Sequence, residues 1–168
     1  MSAISRQPTP APDGIVVPLP DGGLVLRTLV LDLNGTIAVD GALLPGVGEQ
    51  ISRLRERLEI VLVSGDTFGS ASDVSARLGL RRIELAPFAQ GTAKLAIVNK
   101  MGPSTTVVVG NGQNDAPAIE AAVLGICVIG PEGAASVAIG FADVVVTSIS
   151  AALDLLLSPV RLVATLRR

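Results

Sequence analysis

The sequence predicts an α/β fold, a three-layer Rossmann-like parallel sheet with helices on both faces and a β-hairpin in front of it. Three observations carry this. Short apolar runs rich in β-branched residues (Leu29-Val30-Leu31, Ile60-Val61-Leu62-Val63, Thr106-Val107-Val108-Val109) alternate with stretches of helical spacing. Each run ends in a polar turn containing glycine: Asp32-Leu33-Asn34-Gly35-Thr36, Ser64-Gly65-Asp66-Thr67 and Gly110-Asn111-Gly112-Gln113-Asn114-Asp115. The intervening segments are long enough for one crossover helix each, and right-handed crossovers bring those turns to the same end of a parallel sheet.

The elements follow in order. Residues 1–13 carry spaced prolines and read as a flexible tail, leaving residues 14–168 as a single domain. Gly14 to Pro20 and Leu24 to Arg27 flank Asp21-Gly22-Gly23, the pattern of a hairpin whose prolines keep one arm at an edge. A buried strand ends at Asp32. Ile37 to Leu44 contains Asp40-Gly41 and reads as a short flap. Pro45 opens a helix through Arg57, with Val47, Ile51, Leu54 and Leu58 on one face. After the strand ending at Ser64 come a helix over Gly69 to Leu78, a short strand from Arg81 and a helix over Gln90 to Lys100. The strand from Thr105 to Val109 leads through the 110–117 turn to a helix over Ala118 to Ala122. Gly125 to Ile129 and Asp143 to Val146 are two more strands, and helices over Leu153 to Leu157 and Val160 to Leu166 are separated by Pro159.

Composition narrows the function. The 168 residues include no histidine, which removes Ser-His and Cys-His nucleophile systems and histidine metal sites. The lone Cys127 rules out an internal disulfide framework and a cysteine zinc site, and its apolar surroundings read as a buried, inert thiol. A net charge of −2 and an aromatic content of 2% argue against a nucleic-acid partner or a membrane surface. No apolar run reaches the ~18 residues of a membrane span, and the N-terminus lacks the apolar core of a signal peptide, so the expected location is the cytoplasm.

The turn residues have chemistry in common. Asp32 can attack an electrophile or bind a cation, and the amides around Asn34, Gly35 and Thr36 are candidates to face an anion. Ser64 with the amides of Gly65 and Asp66 can hold an oxyanion. Lys94 or Lys100 can neutralise charge. Asn111, Asn114 and Asp115 offer the oxygen ligands of magnesium, which takes few carboxylates and keeps waters and substrate phosphate in its shell. A carboxylate nucleophile, Mg2+ and a phosphate cradle together describe phosphoryl transfer through an aspartyl-phosphate.

From about Leu29 onward the chain resembles the haloacid dehalogenase-like superfamily of phosphotransferases. Within it, the chain is similar to the small soluble proteins related to the phosphorylation domain of P-type ATPases. Asp32 to Thr36 looks like the first motif, Ser64-Gly65-Asp66 like the second, Lys94 like the third, and Gly110 to Pro117 like the fourth. The resemblance implies that Asp32 is nucleophile and magnesium ligand, with the Asn34 backbone carbonyl also on the metal. It implies Ser64 and Lys94 on the phosphoryl group, with Gly35, Thr36, Gly65 and Asn114 around it, and Asn111 and Asp115 on the metal directly or through water.

Two departures stand out. The family's phosphatases use a second aspartate two residues after the nucleophile as general acid and base, and here that position is Asn34. A carboxamide cannot transfer the proton, and general acid–base catalysis typically contributes ~10²–10⁴-fold. Asn111 replaces an aspartate that ligates magnesium. Neither the 37–60 nor the 67–90 interval has room for a cap domain, so the site is expected to be open to a phosphorylated substrate or covered by a second subunit of a homo-oligomer. The apolar flap residues are the candidate subunit contact, with burial against their own sheet as the alternative. A dinucleotide-binding reading of Gly110 to Asp115 fails at its third glycine, and a receiver domain would need an acidic pair at the end of its first strand. The rival from another class is a protein that keeps the fold and an anion pocket for binding or regulation.

Overall fold

The computed structural model describes residues 13–20, 22–65 and 69–167. The expected tail, apart from Asp13, and the turn residues Asp21, Asp66 and Thr67 lie outside them. The chain begins with β1 (Ile15–Val17) and β2 (Leu24–Leu26), an antiparallel hairpin in which Ile15 faces Leu26 and Val17 faces Leu24. The main elements then run β3 (Thr28–Asp32), β4 (Ala38–Val39), β5 (Ala42–Leu43), α1 (Val47–Leu54), β6 (Glu59–Ser64), α2 (Ala71–Leu78) and β7 (Arg81–Glu84). They continue as α3 (Gln90–Met101), β8 (Thr106–Gly110), α4 (Ala116–Ala121), β9 (Leu124–Val128), α5 (Ser136–Phe141), β10 (Val144–Val146), α6 (Ile149–Leu157) and α7 (Pro159–Leu166).

Six strands form one parallel sheet in the order β10-β9-β8-β3-β6-β7. The chain winds outward from β3 through β6 to β7, then returns to β8 on the other side of β3. That reversal, between β3 and β8, opens a crevice at the carboxyl ends of the strands, where ligands bind in such sheets. Register aligns the chemistry. Asp32 pairs with Val63, so Ser64 follows beside it, and Leu31 pairs with Val109, so Gly110 stands level with Asp32.

Period-two alternation splits the strands between two cores. Leu29, Leu31, Ile60, Leu62, Val107, Val109, Leu124 and Ile126 pack against α1, α2, α6 and α7 through residues such as Ile51, Leu54, Val74, Leu153, Leu156 and Leu162. Val30, Val61, Val63, Val108 and Cys127 face the opposite core with Val98 of α3, Ile119 of α4 and Ala138 of α5. A strand buried on both faces must be apolar throughout, so a carboxylate survives on it only at the end. Each buried leucine or valine contributes roughly 1.5–3 kcal/mol. Cys127 is wholly buried, and burial, with the Asp115 charge, raises its thiol pKa.

Several expected boundaries shift for identifiable reasons. Helix α1 starts at Val47, not Pro45, because Gly46 takes a left-handed φ of 79°. It ends at Leu54, while Arg57 and Leu58 still bond back to the Leu54 carbonyl as turns. Pro159 does not separate two helices so much as begin α7 in its first turn, where a missing N–H costs nothing. Likewise Pro117 lies inside the first turn of α4, which therefore starts before Ala118. Helix α6 begins at Ile149, earlier than expected, with the Ser148 hydroxyl accepting from the Ala151 N–H at 3.1 Å. The flap is a hairpin: Asp40 and Gly41 have φ of 50° and 77°, the signature of a two-residue type I′ turn. Ile37 and Ala38 are wholly buried in the protein's own core. Between β3 and β6 lie this hairpin and α1, and between β6 and α3 lie α2 and β7, among the described residues. There, too, no single helix is long and apolar enough to cross a membrane.

Candidate active site

Asp32 ends the central strand and is held from two sides. Lys94 Nζ donates to its Oδ1 at 2.6 Å and the Thr36 hydroxyl donates to its Oδ2 at 3.1 Å. Lys94 reaches it because Gln90, Lys94 and Val98 follow one another at four-residue spacing on one face of α3, Val98 in the core and Lys94 just above. Only 2% of Lys94 is exposed, so its ammonium must be fully paired, and it is: it donates also to Asp115 Oδ1. Asp115 in turn accepts through Oδ2 from the N–H groups of Asn111 (3.1 Å) and Gly112 (2.8 Å), which fixes the turn after β8.

Two carboxylates therefore share one ammonium. Burial, and next the Asp115 charge, push the Asp32 carboxyl up to about 7 against the opposing pull of the Lys94 charge and the Lys94 and Thr36 hydrogen bonds. Burial works to lower Lys94, but the charges of Asp32 and Asp115 outweigh it and its pKa is raised. Lys94 stays charged.

Above this cluster lies a cleft of about 190 Å³ bordered by Asp32, Asn34, Ser64, Gly65 and Asn111, and closed by Gln90, Gly112, Asn114 and Glu132. Most of the expected site residues thus meet at one place. Three of the expected groups are engaged within the protein. Gly35 does not offer its N–H to an anion, because it donates to the Ala38 carbonyl at 2.8 Å; its φ of 76° serves the turn. The Thr36 N–H is likewise turned back to the Leu33 carbonyl at 3.3 Å, and its wholly buried hydroxyl orients Asp32 instead of facing the cleft. Asp115 is not on the cleft wall, its oxygens being occupied by Lys94 and two backbone amides. Lys100 is remote, lining a separate cleft with Thr28 at the amino end of the sheet.

Two residues on the cleft were not anticipated. Gln90 accepts from Asn114 Nδ2 at 2.8 Å and packs where a side chain on Gly65 would stand, which gives Gly65 its purpose. Its position one turn before Lys94 was the available signal. Glu132 comes from the turn after β9, whose carboxyl end reaches the same crevice. Nothing in Gly130-Pro131-Glu132-Gly133 marks it beyond that position.

Magnesium suits the donors present. The Thr36 hydroxyl, 3.1 Å from Asp32 Oδ2 and 3.2 Å from Asn111 Oδ1, keeps a carboxylate and a carboxamide oxygen close together beneath the cleft. Asn34 Oδ1 is buried with no donor of its own. This is an oxygen set for a hard cation, with a single carboxylate on the wall beside it. Among the described residues no three of His, Cys, Asp and Glu cluster as metal ligands, so a magnesium ion here would take most of its shell from amide, water and substrate oxygens.

Comparison with known proteins agrees with this fold. The sequence model of the haloacid dehalogenase-like hydrolases matches residues 14–122. An uncharacterized protein of Methanocaldococcus jannaschii is 48% identical over 79 residues, which are 45% of this chain and 85% of that one. Copper-transporting ATPase HMA5 of Oryza sativa subsp. japonica is 33% identical over 117 residues, 68% of this chain but 11% of the transporter. The cobalt-bound deoxy-D-mannose-octulosonate 8-phosphate phosphatase of Haemophilus influenzae superposes with a TM-score of 0.66 at 17% identity, covering 80% of this chain and 88% of that one. The corresponding Moraxella catarrhalis enzyme, in complex with magnesium, phosphate and its sugar, gives 0.62 at 16% identity over 83% and 90% of the two chains. The chain belongs to the haloacid dehalogenase-like hydrolase family.

Proposed function

We propose that the protein is a magnesium-dependent phosphohydrolase that passes the phosphoryl group through Asp32. The observation that carries this is the buried Asp32–Lys94–Asp115 cluster opening onto a polar cleft at the carboxyl ends of β3, β6 and β8. An Asp32 oxygen attacks phosphorus, the bond to the leaving oxygen breaks, and an aspartyl-phosphate forms; water then attacks phosphorus and releases phosphate. Lys94 holds the Asp32 carboxylate in place and neutralises charge gathering on the phosphoryl oxygens. Ser64, with Gly65 beside it, and the Asn114–Gln90 pair border the space those oxygens would take. Asp115 positions Lys94 and the Asn111 turn. Magnesium, held by Asp32, the Asn34 carbonyl and Asn111, with Asp115 acting at most through water, would supply a Lewis acid that draws charge off the phosphoryl oxygens.

Asn34 cannot move a proton, so turnover is slow relative to a site with a carboxylate there, by up to the ~10²–10⁴-fold typical of general acid–base catalysis. The cleft holds a phosphoryl group and a few waters, leaving the rest of a phosphorylated substrate outside or under a neighbouring subunit. The phosphatase neighbours act on phosphate esters by their names, which is consistent with such a substrate. We place the protein in the cytoplasm, with neither nucleic acid nor membrane as partner. The second reading, a weakened relative that binds an anion without turnover, draws on Asn34 and Asn111. Phosphate release from phosphate esters and acyl phosphates with magnesium, compared between wild type and Asp32→Asn, separates the two. A rate lost in the variant supports hydrolysis through Asp32, and equal background rates in both overturn it.

A further inference from the structure

We infer that Glu132 is the proton acceptor for the water that hydrolyses the aspartyl-phosphate, in place of the carboxylate absent at Asn34. This rests on Asp32 as the phosphoryl acceptor. Among the described residues on the cleft wall, only Asp32 and Glu132 carry a carboxylate, and Asp32 is consumed as nucleophile. Lys94 is paired to two carboxylates and cannot act as base.

The turn carrying Glu132 is built into the site. Gly133 N–H donates to the Gly130 carbonyl at 2.9 Å, closing the turn. Asn111 then fastens it: its Nδ2 donates to the Gly133 carbonyl at 3.1 Å, and its own carbonyl accepts from the Ala135 N–H at 2.8 Å. An aspartate at 111 has no N–H for the first of these bonds. The same substitution that thins the metal site therefore anchors the loop that brings in another carboxylate. Close approach completes the arrangement. A Cβ on Gly35 would stand 2.9 Å from Glu132 Oε2 and 2.5 Å from Asn111 Nδ2, and one on Gly130 would stand 3.0 Å from the Gly35 carbonyl. Glycine at both positions lets the Glu132 turn lie directly over the residue that follows Asn34. Glu132 is an exposed residue, open to solvent for proton release.

In the step assigned to it, the water oxygen forms a bond to phosphorus while the bond between phosphorus and the Asp32 oxygen breaks. The Asp32 carboxylate is regenerated, phosphate leaves, and the water proton passes to Glu132 and on to solvent.

The test uses the full chain labelled with radioactive acetyl phosphate in the presence of magnesium, then chased with unlabelled reagent. Glu132→Gln is expected to take up at least as much label as the wild type and to lose it roughly 10²-fold more slowly, the lower range for a general base. Acetate added to Glu132→Ala should restore part of the decay rate. Unchanged decay in Glu132→Gln overturns the assignment. So does reduced labelling together with weaker manganese binding in Glu132→Gln, measured by electron paramagnetic resonance without substrate, since that would make Glu132 a cation ligand. No label in the wild type overturns the reading of Asp32 itself, and this one with it.

Discussion

The floor and the rim of the cleft are built differently. On the floor, Asp32, Lys94 and Asp115 are buried, charged and bonded to one another, and the second Asp115 oxygen is locked to backbone amides. On the rim, Asn34, Asn111 and Asn114 are carboxamides, one with a buried oxygen lacking a donor, and the single carboxylate, Glu132, is exposed. A buried charge network cannot lose a member without leaving another charge stranded, whereas rim groups exchange partners with water. In the proposed mechanism the phosphoryl acceptor therefore belongs to the part of the site that folding itself protects, and the proton acceptor to the part where substitution is cheap.

The contrast is broken most severely at Lys94. Lys94→Met should destabilise the fold by about 3–5 kcal/mol, the cost of leaving buried carboxylates unpaired. Urea denaturation measures it, and a loss near zero would mean that solvent reaches the floor. A rim change of the opposite sense, Asn34→Asp, should raise phosphate release by up to ~10²-fold, with little effect on the melting temperature. No gain in release would mean that proton transfer is not what limits the site.

Asn111→Asp sharpens the comparison by trading functions. It removes the donor to the Gly133 carbonyl, so without metal the protein should lose about 1–3 kcal/mol, while manganese affinity measured by paramagnetic resonance should rise. The smallest expected effect is on pH. The Asp32 carboxyl is raised to about 7 in the folded protein, so between roughly pH 4 and 7 the native state holds a proton that the unfolded chain releases. Stability without metal should therefore fall as pH rises through that window and level off above it. Millimolar magnesium, by favouring the ionised carboxylate, should flatten the slope. The raised Lys94 contributes stability throughout this range and loses it as pH rises from the ordinary lysine value through its higher folded one.

Much of the floor could be read from the chain. An apolar run that closes on one carboxylate locates Asp32, whereas the residues alone left Lys94 and Lys100 open and the family resemblance chose Lys94. The front hairpin and the buried strands were equally legible, since Asp21-Gly22-Gly23 and the apolar runs leave direct marks, whereas Asp40-Gly41 marked a turn in what read only as a flap. The rim was less so. Glu132 is one of many exposed acids, and only the register of β9 places it over Gly35. Helix α5 escaped because Ser136-Val-Ala-Ile-Gly-Phe141 is short, contains glycine and puts only Ala138 in the core. The Gly35 and Thr36 amides looked available for an anion because residue type does not reveal which way a turn points its N–H groups; the bonds to Ala38 and Leu33 decide that.

Beryllofluoride, which mimics a phosphoryl group on an aspartate, tests the floor directly. With magnesium present it should raise the melting temperature of the wild-type protein and leave that of Asp32→Asn unchanged. An equal shift in both proteins, or none in the wild type, would contradict Asp32 as the phosphoryl acceptor.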